Sequence, residues 1–185
     1  MAETWMDEWI PMMEAVGEDF SDGSPVWGAD AVEQGAVRRF LEPLEFDCPL
    51  HYDKEIAKKY GYDNIIAPYS SLLSWTIPPL WSPGQQIFTS PEKNAQPEYS
   101  PLTKEIPRLG PKTSGYFATD IDIDYLLPIH VGDRLCQVGN ILLSCVPKET
   151  SVGRGAFVKW KSKIQNQHLE TVAILRIGMY YYNPQ

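Results

Sequence analysis

Positive charge is in short supply in this sequence: 16 Lys and Arg stand against 24 Asp and Glu over 185 residues, for a net charge of −8. Nucleic-acid binding needs a basic face to neutralise phosphates. Only the short stretches VRRF and KWKSK are locally basic, so nucleic acid is excluded as a partner. An acidic surface also matches anionic lipid poorly, and no apolar run approaches the length of a membrane span. Cysteine is scarce as well. Cys48, Cys136 and Cys145 are too few and too scattered for a disulfide framework, and no CxxC spacing suggests zinc, so no metal is expected. An odd number of thiols suits a reducing compartment, where they act as small hydrophobes. The start, MAETWMDEWIPMMEA, lacks the basic stretch followed by an apolar one that marks a secretory signal. A cytoplasmic protein is expected. There are three histidines, at 51, 130 and 168, so acid–base chemistry near neutral pH has few places to reside.

What is present belongs to a globular chain: 43% hydrophobic and 22% charged, long enough to bury a core. Residues 1–27 read as a helical extension that sets Trp5, Met6, Trp9, Met12 and Met13 near one face and docks on the rest. Asp30 predicts a helix N-cap, with Glu33 closing a capping box. Val32, Ala36, Val37, Phe40 and Leu41 then form an apolar stripe that Pro43 ends. Asp53 predicts the cap of a second short helix, stopping at Gly61. IIAPYSSLLSWTIPPLW is almost uncharged and predicts a helix over about 70–80, apolar on nearly every side and therefore interior. Half of the 16 prolines lie between residues 78 and 114, which excludes helix and central strand there. A Pro-rich insertion over about 82–113 follows, a lid over a pocket or a strap across a partner subunit. From Gly115 the periodicity changes to two. GYFATDIDIDYLLPI, DRLCQVGNILLSCV, RGAFVKWKSKIQN and ETVAILRIGMYYYN predict four strands in an antiparallel meander. Helices first and an antiparallel sheet afterwards make an α+β domain.

The stretch PLHYDKEIAKKYG, the following NIIAPYS and the later PIHVGDRL resemble the MaoC-like dehydratases of the hotdog superfamily, over most of residues 28–183. The most specific part is Pro49-Leu50-His51, five residues, then Ala57. The resemblance implies a hotdog domain over 28–185, an antiparallel sheet wrapped around a buried central helix. It implies hydration of a trans-2-enoyl thioester, or the reverse dehydration of a 3-hydroxyacyl thioester, without metal or organic cofactor. In the family an Asp and a His hold the water, and N–H groups at the start of the central helix hold the thioester oxygen. His51 falls on the catalytic histidine. Five residues before it, where the carboxylate belongs, stands Phe46; the motif's Asn is Cys48 and its Gly is Glu45. Asp47, offset by one, is the candidate replacement carboxylate. Pro68-Tyr69 stand where the family has His-Gly, so the oxyanion donor falls to a Tyr69 or Ser70 N–H, with Ser71 next to them. With Phe46 and Cys48, these three are the expected substrate-binding residues.

Other readings of single residues are plainer. Asp53 caps a helix; Cys48, followed at once by proline, has nothing to activate it as a nucleophile. Asp120, Asp122 and Asp124 share one side of a strand, and a solvated face or a subunit edge explains them better than a divalent metal. His130 and His168 fall in turns, and Ser70-Ser71 lack the frame of a hydrolase elbow. The leading function is a hydro-lyase acting as a hotdog dimer on a CoA- or carrier-bound acyl chain, with Lys58, Lys59, Arg108 and Lys112 as candidates to meet CoA phosphates. The alternatives are a non-catalytic, substrate-binding half of a heterodimer with a second MaoC-like chain, or a thioester-binding or thioesterase hotdog protein.

Overall fold

A computed structural model of the chain describes residues 4–88, 90–92 and 109–184. They form two compact units, one of residues 4–25, 109–127 and 137–184, the other of 26–88, 90–92 and 128–136.

The first unit is built on four long strands: β2 (Gly115–Tyr125), β3 (Cys136–Thr150), β4 (Gly153–Gln165) and β5 (Thr171–Asn183). With the two-residue β1 (Val26–Trp27) the sheet order is β1-β3-β4-β5-β2. The four strands lie where the period-two runs place them, but the meander does not hold. β3, β4 and β5 are joined by short turns, whereas β2 lies beyond β5 and pairs with it antiparallel. The reason lies in the ten residues between β2 and β3. Their later part pairs with residues 65–67 instead of closing a hairpin: Ala67 N–H donates to Ile129 O and Val131 N–H to Ile65 O.

The N-terminal stretch folds as two short helices, α1 (Thr4–Asp7) and α2 (Ile10–Glu14). It docks as expected, but through Trp9, Met12 and Ala15, which join Leu142, Cys145, Ala156, Val158, Trp160 and Tyr181 in one apolar cluster. Met6 and Met13 remain exposed. Two large side chains there, Trp9 and Met12, lose nearly all contact with water, on the order of several kcal/mol of transfer free energy.

In the second unit α3 runs Gln34–Leu41, with Glu33 at the cap position and no side-chain cap bond. The capping box at Asp30 does not form. Residues 28–32 are irregular instead, with a bend at Ala29 and Asp30, and are held by bonds from Gly28 N–H to Leu135 O and Val32 N–H to Asp133 O. Gly28 is required at its position, since a Cβ there would strike the carbonyl of Trp75. Pro43 does not stop the chain at once but sits inside a 3₁₀ turn, Glu42–Leu44. α4 (Lys54–Lys59) follows the expectation closely: Asp53 accepts from Glu55 and Ile56 N–H, and Gly61 adopts φ 91° beyond the end.

The central helix is shorter and less apolar than predicted. A 3₁₀ turn, Tyr69–Ser71, leads into α5, Leu72–Thr76. Ile77 is extended at φ −72°, ψ 118°, as a residue before proline must be, so the helix cannot reach 80. Ser71, Leu72 and Thr76 are buried while Ser70, Ser74 and Ile77 are exposed, so the helix has two faces. No helix or strand occurs among the described residues of the Pro-rich insertion; residues 89 and 93–108, Arg108 included, lie outside them.

Candidate active site around His51

The site is assembled from three short segments of the second unit. Residues 64–67 lie in the middle. On one side Ile66 N–H donates to Leu50 O; on the other, Ile66 bridges to His130 in antiparallel fashion. Asn64 Nδ2 donates to Val131 O at 2.9 Å, and His130 N–H to the Asp133 carboxylate at 2.7 Å. These bonds set the height at which the next group stands.

His51 ends the 3₁₀ turn Pro49–His51 and is 8% exposed. Pro49 at the start of that turn costs no hydrogen bond, because a first-turn N–H has no partner in the turn. The His51 ring places Nδ1 2.7 Å from Ile66 O. A carbonyl oxygen only accepts, so the proton of the neutral ring sits on Nδ1 and Nε2 keeps the lone pair. That is the tautomer a general base needs.

Phe46 occupies the ground beside this ring. The two ring centroids are 5.6 Å apart at 45°. Its backbone is fixed by Phe46 N–H to Leu41 O and by Tyr52 Oη donating to Phe46 O at 2.8 Å. Glu45, at the motif's glycine position, has φ 49°, a left-handed conformation that glycine adopts without strain. Asp47 is exposed and, among the described residues, makes no hydrogen bond or ion pair with His51. Cys48 is half-buried and its carbonyl accepts from His51 N–H. Asp53 is spent as a helix cap.

At the start of the central helix, Ser71 N–H is already committed to Pro68 O, and its hydroxyl donates to the same carbonyl. Ser70 is exposed, and its N–H has no acceptor within the described residues. Of the expected oxyanion donors, the Ser70 N–H is therefore available, whereas the N–H of neighbouring Ser71 is not. Tyr69 is exposed beside it. Lys58 and Lys59 lie exposed at the end of α4, with Lys58 bonded to Glu55. A cavity of about 250 Å³ in the first unit is lined by Trp5, Trp9, Pro111, Thr113, Arg154 and Asn183, among others. None of the motif's residues lines it.

The role of the 64–67 segment escaped the sequence reading. Its signal was present in Asn64, a polar residue ahead of a buried apolar run, which had no assigned partner.

Residues 15–175 match the profile of a family described as FAS1-like, dehydratase domain region. A probable enoyl-CoA hydratase alpha subunit from Thermomonospora curvata is 25% identical over 163 residues, covering 88% of this chain and 49% of that protein. The chain thus spans about half the length of this curated relative. Among solved structures, the ChsH1-ChsH2 complex from Mycobacterium tuberculosis aligns with a TM-score of 0.63 at 19% identity, over 98% of this chain and 97% of the matched one. A MaoC-like dehydratase from Rhodospirillum rubrum aligns with a TM-score of 0.54 at 19% identity, over 90% and 95%. These likenesses establish the hotdog fold.

Proposed function

The chain belongs to the FAS1-like dehydratase family of MaoC-like hotdog proteins, and from that premise we propose that it serves as the substrate-binding half of a two-half acyl-thioester hydratase or dehydratase. The observation that carries this reading is the Phe46 ring packed beside His51, where a carboxylate belongs. Adding water to an enoyl thioester transfers two protons: one leaves the water as its oxygen attacks the β-carbon, and one arrives at the α-carbon. Two titratable groups within reach of the reacting atoms divide that work. This chain has only one such group, His51, and an apolar ring in place of the other, so in the two-half reading the pair that divides the work comes from the partner chain. The Ser70 N–H can still hold a thioester oxygen. The name of the Thermomonospora curvata relative, an alpha subunit, and the two-chain Mycobacterium tuberculosis structure support a division of labour of this kind.

The set tautomer of His51 favours a second reading, in which the chain is itself catalytic and Asp47 swings in as the carboxylate. One experiment separates the two. The purified chain and its His51→Ala variant are assayed for hydration of an enoyl thioester, each with and without a second MaoC-like chain carrying the intact Asp and His. The two-half reading expects no turnover by the chain alone, activity with the partner, and little loss in His51→Ala. The autonomous reading expects turnover alone, lost by about 10²–10⁴-fold in His51→Ala and to a similar extent in Asp47→Asn. Gain of activity in Phe46→Asp would show that the carboxylate was the missing part.

A further inference from the structure

Phe46 is 48% exposed, although His51 beside it is buried. Burial therefore does not hold residue 46 in place. The local backbone does not hold it either. Glu45, just before it, lies in the left-handed region at φ 49° and ψ 36°, which a residue with a Cβ adopts only against steric resistance. Among the described residues two hydrogen bonds fix residue 46. Phe46 N–H donates to Leu41 O at 3.3 Å, a long bond, and Tyr52 Oη donates to Phe46 O at 2.8 Å. The shorter of the two comes from the residue next to His51. Tyr52 is itself fixed by the turn that carries His51, since Tyr52 N–H and Asp53 N–H both donate to Pro49 O, at 3.1 and 2.9 Å. One frame thus sets the imidazole and, through a phenol, the ring that stands against it.

The bonding of His51 shows what that ring does. Nδ1 is committed to Ile66 O, and Nε2 has no partner among the described residues. No fully enclosed side-chain polar atom among those residues lacks a partner, so Nε2 keeps a narrow opening to solvent. A phenyl ring centred 5.6 Å from the imidazole takes up room that water would otherwise fill, and it offers water nothing to bond to. We propose that Tyr52 is a positioning residue: its hydroxyl latches the 45–48 loop so that Phe46 shields the His51 ring from free water. In the two-half reading, on which its purpose rests, this latch silences hydration by this half. Tyr52 is exposed, so water replaces the lost bond in Tyr52→Phe and the fold stays intact. The test reads the accessibility of His51 and not turnover, so the latch and the two-half reading can fail separately.

The test is carbethoxylation by diethyl pyrocarbonate, which an imidazole nitrogen with a free lone pair attacks. Peptide mass spectrometry follows each histidine in the full chain, in Tyr52→Phe, in Phe46→Ala and in the double variant, with circular dichroism to confirm folding. His130 and His168 serve as internal references. Tyr52→Phe should react at His51 about 2–10-fold faster than wild type, the range that one net hydrogen bond allows, with both references unchanged. Phe46→Ala should react at least as fast. Adding Tyr52→Phe to it should change nothing further, because the latch then has no ring to hold. An unchanged rate at His51 in Tyr52→Phe overturns the proposal. Equal acceleration at all three histidines, the mark of general loosening, overturns it too. So does a full second increase in the double variant, which would show that Tyr52 acts on His51 without Phe46.

Discussion

The sheet unit and the unit that carries His51 both bury apolar side chains, but they place their key groups by different means. In the first, Trp9, Met12, Trp160 and Tyr181 bury large apolar surfaces against one another, and Tyr180 is enclosed by Phe117, Phe157 and Tyr182. Packing of that kind is redundant, since each ring touches several others. In the second, His51 is positioned by single hydrogen bonds between short irregular segments: His51 to Ile66, Ile66 to Leu50, Asn64 to Val131. Packing sets stability in one and hydrogen-bond geometry sets orientation in the other. The turn around residue 46 is fixed by Phe46 N–H to Leu41 O and by Tyr52 Oη to Phe46 O, neither of which involves the side chain of residue 46.

The largest expected effect tests the packed side of that contrast. Trp9→Ala removes a side chain that is 2% exposed and should destabilise the chain by about 3–5 kcal/mol in denaturant unfolding. A loss below about 1 kcal/mol would mean that the N-terminal helices are an ornament on the sheet and not part of its core.

A smaller change tests the hydrogen-bonded side. Asn64→Ala leaves the carbonyl of Val131 without its side-chain donor and should cost about 1–3 kcal/mol. Its signature is local: faster amide exchange at Ile66, Ala67 and Val131, with the sheet amides unchanged. Uniform acceleration across the sheet would erase the distinction between the two units.

The smallest effect lies on the charged face of β2. The Arg176 guanidinium, bonded to Asp124, holds that carboxyl below its ordinary value of 3.8, and Lys159 does the same for Asp120. A carboxyl depressed in the folded state contributes stability that is complete above the unfolded value and is lost as pH falls through the folded one. Both groups are open to solvent, so the contribution is screened and small. Carbon-detected titration should find Asp124 ionising below an ordinary aspartate, and Arg176→Met should return it to the usual range. An Asp124 that titrates normally in wild type would show that the pair does not persist in solution.

Much of this molecule was legible in the linear chain. The change to period two at Gly115 located all four long strands, because alternation is a local consequence of the pleat. Asp53 and Gly61 bounded α4, because capping is decided within one turn. Pro49-Leu50-His51 pointed to the family. What local chemistry could not decide was wherever a distant segment offered a better partner. Asp30 gave up its cap because residues 28–32 found Leu135 and Asp133. β2 crossed to β5 because the segment after it was claimed by residues 65–67. The tautomer of His51 depended on Ile66, 15 residues away, and the pairing of the three Asp on β2 depended on Lys159 and Arg176, arriving from two other strands. Sequence determines which groups a segment carries and its local turn preferences; only the closed tertiary structure decides which donor meets which acceptor, since that choice is a competition among all the segments at once.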